Sequence, residues 1–219
     1  MTTIFVTSSG TDIGKTYVSA LIIRQLRAKG LPVRALKPVV SGLDETTFPA
    51  SDPAALLAAL GEPVLYENVD TVSRWRFRAA LSPDMAAARE GTSIDFRELV
   101  DHCRAREALH DPLLIEGVGG LIVPLDDRHT VLDWMLALKG PRLVPLLVVG
   151  SYLGTISHTL TTLDVMNRNG LAPRAIVVSE SPAEPVPLDE TVETIRRFAG
   201  LETIALPRHG EPDLASLFV

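Results

Sequence analysis

Apolar positions along this chain fall into two alternating kinds of segment. Short runs at 3–7, 113–116 and 143–149 are apolar at nearly every position, while longer stretches between such runs repeat apolar residues every three or four positions. A strand that is apolar throughout has both faces covered, and helical crossovers between parallel strands supply that cover. The pattern predicts strands at 3–7, 33–38, 113–116, 143–149, 175–178 and 203–206. Helices are expected at 15–29, 52–60, 84–89, 96–109, 130–138, 156–169 and 188–198. The first helix has clear stop signals: Lys29 in its last turn, then Gly30, then Pro32, which cannot continue it. The interval 41–81 is less regular and carries Pro49, Pro53 and Pro63, so it reads as an excursion packed over one end of the sheet. Pro182, Pro185 and Pro187 mark a turn-rich connection. No internal repeat or low-complexity tract interrupts the pattern, and residues 1–219 are expected to form a single α/β domain, a parallel sheet flanked by helices on both faces.

Composition narrows the choice of partners. The 219 residues are 46% hydrophobic and 22% charged, with a formal net charge of −6, which gives no support to nucleic-acid binding. No stretch approaches the roughly 20 apolar residues that span a bilayer. The beginning MTTIFV lacks a basic region followed by a long apolar segment, so a cytoplasmic protein without a membrane partner is expected. Cys103 is the only cysteine, which excludes an intrachain disulfide and a multi-cysteine zinc site. It shares helical spacing with Phe96, Leu99 and Val100 and reads as a buried structural thiol.

In open α/β sheets ligands bind beyond the carboxyl ends of the strands, so chemistry is sought there. Four segments qualify. The first is Ser8-Ser9-Gly10-Thr11-Asp12-Ile13-Gly14-Lys15-Thr16, between a strand and a helix. It ends like a phosphate-binding loop, whose backbone N–H groups wrap phosphates at a helix N-terminus while the lysine adds positive charge and the hydroxyl serves Mg²⁺. The common pattern G-x-x-x-x-G-K-[ST] would place its first glycine at Ser9. The alternative is a helix start merely capped by Thr11 or Asp12. The second segment is Lys37-Pro38-Val39-Val40-Ser41-Gly42, where a lysine at a strand's end can neutralise a carboxylate, carbamate or phosphoryl group, or simply snorkel to solvent. The third runs through Ile115-Glu116-Gly117-Val118-Gly119-Gly120, placing a carboxylate where phosphate-loop enzymes hold a nucleotide's metal and following it with a turn that ligands can approach. An acidic strand end with a tight turn is the plain reading. The fourth, Gly150-Ser151-Tyr152-Leu153-Gly154-Thr155-Ile156-Ser157-His158, offers a second helix start with exposed donors for an anion. His158 can equally act, pack or cap.

Taken together and in this order, these segments resemble the dethiobiotin synthetase family. The resemblance extends from Phe5 to about Pro207 and rests on GTDIGKT, KPVVSG, Ser51-Asp52, Ser82-Pro83, EGVGG and LGTISHTLTTL. It implies a P-loop NTPase-like fold and an ATP- and Mg²⁺-dependent ligase of biotin synthesis. The implied reaction carboxylates 7,8-diaminononanoate with CO₂, activates the carbamate with ATP and closes a cyclic urea. By this resemblance the nucleotide is held by Gly10, Thr11, Asp12, Ile13, Gly14, Lys15, Thr16 and Tyr17, with Glu116, and its base by Ser179, Pro207 and Arg208. The metal falls to Thr16, Asp52 and Glu116, and catalysis to Lys37, Lys15 and Thr11. Substrate is implied to meet Lys37, Ser41, Gly117, Val118 and Gly119. The family's homodimers imply a site completed across the interface by Leu153, Gly154, Thr155 and Ser157, at the partner's substrate carboxylate.

The family's loop has five residues between its first glycine and Gly-Lys-Thr, so the glycine missing from the common pattern belongs at position 8, where this chain has serine. Two further departures are Ser157, where asparagine is frequent, and Ser179-Glu180, where an Asn-Asp pair is frequent and the asparagine reads adenine. A serine cannot present the paired donor and acceptor of an amide, so looser base selection is expected. The competing readings are a nucleotide-switch ATPase of the partitioning or cell-division type and a catalytically weakened nucleotide-binding homologue. The switch proteins usually carry an additional early lysine in the loop, which this chain lacks, and membrane-targeting ones a basic C-terminal helix, whereas PRHGEPDLASLFV tends acidic.

Overall fold

The computed structural model describes residues 2–182 and 186–219, and the Pro185 of the turn-rich connection lies outside them. All six expected strands appear and form one parallel sheet. These are β1 (Thr3–Ser8), β2 (Arg34–Leu36), β5 (Leu113–Glu116), β6 (Leu143–Gly150), β7 (Ile176–Ser179) and β8 (Thr203–Leu206), in the spatial order β2-β5-β1-β6-β7-β8. Every residue of β1 is buried, as its apolar run requires for a strand between two neighbours and two layers of helix. Period-two alternation divides its side chains: Ile4 and Val6 join one core with Val18, Leu21, Ile22 and Leu57, while Phe5 joins the other with Leu99, Cys103 and Trp134. Phe5 and Trp134 meet edge to face at 4.9 Å.

The first core is covered by α1 (Lys15–Ala28) and α2 (Asp52–Leu60), and the second by α3 (Pro83–Arg89), α4 (Phe96–Leu109), α5 (Val131–Leu138), α6 (Thr155–Arg168) and α7 (Leu188–Ala199). Expected ends differ by a residue or so where caps decide them. Thr130, expected inside α5, is instead its N-cap, its side chain and that of Asp133 each taking the other's backbone N–H.

The larger difference concerns 33–38. Only Arg34–Leu36 pairs with β5; the N–H of Lys37 leaves the ladder for the carbonyl of Val72. Pro38 has no N–H to offer, its carbonyl accepts from Arg74 and Trp75, and the chain starts a new ladder. That ladder joins β3 (Val39–Ser41) to β4 (Trp75–Phe77) in a two-stranded parallel sheet, so the irregular excursion 41–81 returns to pair with its own beginning. Two 3₁₀ turns, Phe48–Ala50 and Tyr66–Thr71, shape the rest of it. Among the described residues no helix is long and apolar enough to cross a membrane.

Candidate active site

The strand order sets the loop after β1 beside the end of β5, with the end of β2 one strand further on. Residues 9–14 bridge β1 and α1 with Asp12 at φ 56° and Gly14 at φ 92°. Gly14 is required twice over, because a Cβ there would also stand 2.5 Å from the hydroxyl of Ser179. Gly120 keeps the turn after β5 close to this loop: a Cβ on it would meet the Gly10 nitrogen at 3.2 Å.

Thr16, in the first turn of α1, lies 2.7 Å through its hydroxyl from both Asp52 Oδ1 and Glu116 Oε1. Lys37, just past β2, places Nζ 2.7 Å from Glu116 Oε1 and 2.9 Å from Asp52 Oδ2. Asp52 reaches this point as the first residue of α2, whose N-cap Ser51 accepts the N–H of Ala54. Lys37 is 3% exposed and Glu116 1%, so their charges face each other out of water. Burial works against the Lys37 ammonium, but Glu116 and Asp52 outweigh it and raise its pKa above the ordinary lysine value. Burial likewise opposes the Asp52 carboxylate, and Lys37 carries it below its usual range. Lys15 follows the opposite course: burial, and then repulsion from Lys37, pull it down to about 8. Its Nζ donates to Ser8 Oγ at 3.1 Å and the Gly10 carbonyl at 3.2 Å.

Whether these groups suit a divalent cation is testable on their own hydrogen bonding. Thr16 has one proton for two carboxylates, and the buried Glu116 Oε2 has no partner. Oxygen acceptors therefore exceed donors at this point, and hard oxygen ligands of this kind fit Mg²⁺. Among the described residues no group of three or more His, Cys, Asp or Glu stands ready for a metal, so phosphate and water oxygens would have to complete the shell.

Two cavities flank the start of α1. One, of about 620 Å³, has Lys15, Lys37, Ser41, Asp52, Val118 and Gly119 in its walls together with Thr11 and Thr16. The other, of about 240 Å³, lies between Asp12, Ile13, Gly14 and Tyr17 on one side and Ser179, Glu180, Pro207 and Arg208 on the other. Glu180 accepts the backbone N–H of Arg208 and so ties these two walls together. The loop is thus placed between a larger chamber and a smaller one.

The fourth segment lies apart from both cavities. Leu153 is 82% exposed, and Gly154 and Ser157 are also exposed at the start of α6. The Thr155 N–H is taken by the Tyr152 carbonyl at 3.1 Å and its hydroxyl by the Gly150 carbonyl at 2.6 Å, so Thr155 has no free donor there. His158 shares a hydrogen bond with the Tyr152 hydroxyl at 2.9 Å. Ser82 carried part of the resemblance but was given no role: in the N-cap position of α3 it makes no capping bond, and its buried hydroxyl is unpartnered, as is that of Ser41, both residues lining the large cavity. The available signal was Ser82-Pro83, which reads first as an ordinary helix start.

Comparison with known proteins places this arrangement. Residues 2–209 match a family model described as an AAA domain. The ATP-dependent dethiobiotin synthetase BioD of Methylobacterium nodulans is 50% identical over 96% of this chain and 95% of its own length. The enzyme of the same name from Caulobacter vibrioides is 46% identical over 99% of this chain and 97% of its own. The chain belongs to the dethiobiotin synthetase family. Its fold extends further: the MinC:MinD cell division complex of Aquifex aeolicus aligns with TM-score 0.55 at 17% identity, covering 99% of this chain and 84% of that one. A ParA family ATPase of Chlorobium tepidum aligns with TM-score 0.55 at 12% identity, covering 96% of this chain and 86% of that one. Those two likenesses concern the fold alone. Within the dethiobiotin synthetase family the serine at position 8 is accommodated simply: Ser8 ends β1 in extended backbone, where a β-carbon costs nothing.

Proposed function

We propose that this chain, acting as a single domain over residues 1–219, uses ATP to carboxylate 7,8-diaminononanoate with CO₂ and to close the product to dethiobiotin, in the cytoplasm. The observation that carries the reading is the Lys37 ammonium, buried between Glu116 and Asp52 in the wall of the cavity that opens on the phosphate loop. Lysine charge is needed where two anions must meet, and here those are a carbamate and a triphosphate.

The loop N–H groups at residues 10–14, with Thr11 and Lys15, bind the phosphates at the N-terminus of α1. Thr16, Asp52 and Glu116 would hold Mg²⁺, which when bound neutralises charge on the phosphates. Lys37 turns from its carboxylates toward the reacting oxygens and orients the carbamate against the γ-phosphorus. One substrate amine adds to CO₂ and releases a proton, giving the carbamate. A carbamate oxygen displaces ADP from the γ-phosphorus, giving a carbamic-phosphoric anhydride. The second amine then attacks the carbonyl carbon, phosphate leaves with the bonding pair, the amine loses a proton, and the urea ring is closed. Ser41 and the turn at 117–119 line the diamine, with the Ser82 hydroxyl adding a donor. Tyr17, Ser179, Pro207 and Arg208 enclose the base.

A homodimer completes the site: the first turn of one protomer's α6 receives the carboxylate bound in the other. The exposure of Leu153, Gly154 and Ser157 supports this arrangement. The Gly154 amide and the first-turn N–H of Ser157 are its donors, and Thr155 serves only to shape the turn. The test is direct. Incubation with ATP, Mg²⁺, bicarbonate and 7,8-diaminononanoate should give the cyclic urea by mass spectrometry with one phosphate released per ring; neither product nor diamine-dependent phosphate release would refute it.

A further inference from the structure

Ser8 is fully buried, yet its hydroxyl is surrounded by more partners than its one proton can serve. Oγ lies 2.6 Å from the Gly10 carbonyl, 2.8 Å from the Gly119 carbonyl, and receives Lys15 Nζ at 3.1 Å. Gly10 belongs to the phosphate loop, whereas Gly119 belongs to the turn after β5 that forms a wall of the large cavity. Lys15 Nζ also donates to the Gly10 carbonyl at 3.2 Å. The single Ser8 proton is thus shared between the Gly10 and Gly119 carbonyls, and while Lys15 also serves Gly10 the proton can be given to Gly119. Phosphates entering the loop would draw Lys15 outward and leave the Gly10 carbonyl without it. The nearer of the two acceptors then competes for the Ser8 proton, and the hold on Gly119 is released.

We propose that Ser8 is a positioning residue whose hydroxyl couples the phosphate loop to the 117–120 turn, so that nucleotide occupancy frees the turn to close on the second substrate. Leu121 N–H donates to the Ser8 carbonyl at 2.9 Å and Gly117 N–H to the Val6 carbonyl at 2.9 Å, so the turn is anchored to β1 at both ends and the Ser8 hydroxyl acts on its middle. The substrate named in the test rests on the function proposed above.

The experiment measures the Kd of 7,8-diaminononanoate by calorimetry, with the protein free and saturated with Mg²⁺ and β,γ-methylene-ATP. Wild type is expected to bind the diamine about fivefold or more tightly in the presence of the nucleotide analogue, the lower end of ordinary coupling between sites. Ser8→Ala and Ser8→Gly should both bring the ratio near one. A packing role would separate the two variants, because alanine retains the β-carbon and glycine does not. An unchanged ratio in either variant, or a ratio near one in the wild type, overturns the coupling. If cyclic urea still forms in that case, only the role of Ser8 falls. If the diamine neither binds nor yields product, the proposed function falls with it.

Discussion

At the scale of single residues, the proposed chemistry rests most heavily on Lys37. Lys37→Ala should nearly abolish turnover while nucleotide binding is largely kept. Without Mg²⁺ it should also unfold more easily, because the buried Glu116 loses its cation; breaking such a pair costs about 3–5 kcal/mol. Added Mg²⁺ should recover more stability in the variant than in the wild type, as read by thermal denaturation. Lys15 predicts a pH effect. Its pKa in the fold is about 8, below the ordinary lysine value of 10.5, so it loses its charge in the free protein as pH rises through about 8. Phosphate favours the charged form, so nucleotide binding above about pH 8 must take up a proton and weaken as pH rises. ADP titrations from pH 7 to 9.5 in buffers of different ionisation enthalpy would check this, and a flat Kd would contradict it. Cys103 is buried and burial pushes its thiol up to about 12. Iodoacetamide at pH 8 should therefore leave it untouched in the native protein and label it only after unfolding.

Elements carry these residues to the site, and their ends matter most. Asp52 depends on the start of α2, where the Ser51 hydroxyl accepts from Ala54 and donates to the Phe48 carbonyl at 2.7 Å. Ser51→Ala should cost about 1 kcal/mol of stability. Because Asp52 is the next residue, the same variant should raise the Mg²⁺ concentration needed for half-maximal rate, which a cap acting on stability alone would not do. β2 shows what the pattern of residues conveys and what it does not. Its apolar run was legible, and so was Lys37 at its end. The change of partner at Pro38 was not, because β4 is a three-residue strand inside an irregular interval and becomes visible only when the chain has returned to Val39–Ser41. The position of Ser82 was hidden for a related reason: a serine before proline signals a cap, and only packing shows that its hydroxyl makes no capping bond and is buried unpartnered beside the cavity.

For the whole molecule, the decisive question is whether two copies share a site. In the proposed dimer, Ser157→Asp sets a negative charge in the first turn of α6, where it suits the helix and repels a substrate carboxylate. That variant and Lys37→Ala should each be inactive alone. Mixed in equal amounts and allowed to exchange, half the dimers are hybrids with one intact site of two, so about a quarter of wild-type activity should return. No recovery after verified exchange would exclude a site completed across the interface. In the proposed reading the base occupies the cavity between Gly14, Ser179 and Arg208, residues remote in sequence and adjacent in space. Ser179→Asn should sharpen the preference for ATP over GTP and CTP, measured as kcat/KM ratios.

The sequence by itself determined the alternation of strand and helix, the six strands of the central sheet, the phosphate loop and the charged residues at strand ends. Each of these is local: an apolar period, a cap, a glycine or a lysine within a few positions of a strand. Tertiary structure alone decided the strand order that brings Thr16, Lys37, Asp52 and Glu116 within hydrogen-bonding distance, and with it the burial of Lys37 and Glu116 and the shifted pKa values of Lys37 and Asp52. It also decided the place of Ser8. A serine where the family has glycine looked like a matter of backbone strain, but β1 ends in extended backbone, so what remains at that position is a hydroxyl between two loops. Local pattern follows from neighbouring residues, whereas electrostatics and hydrogen bonding depend on groups separated by up to a hundred or more positions along the chain.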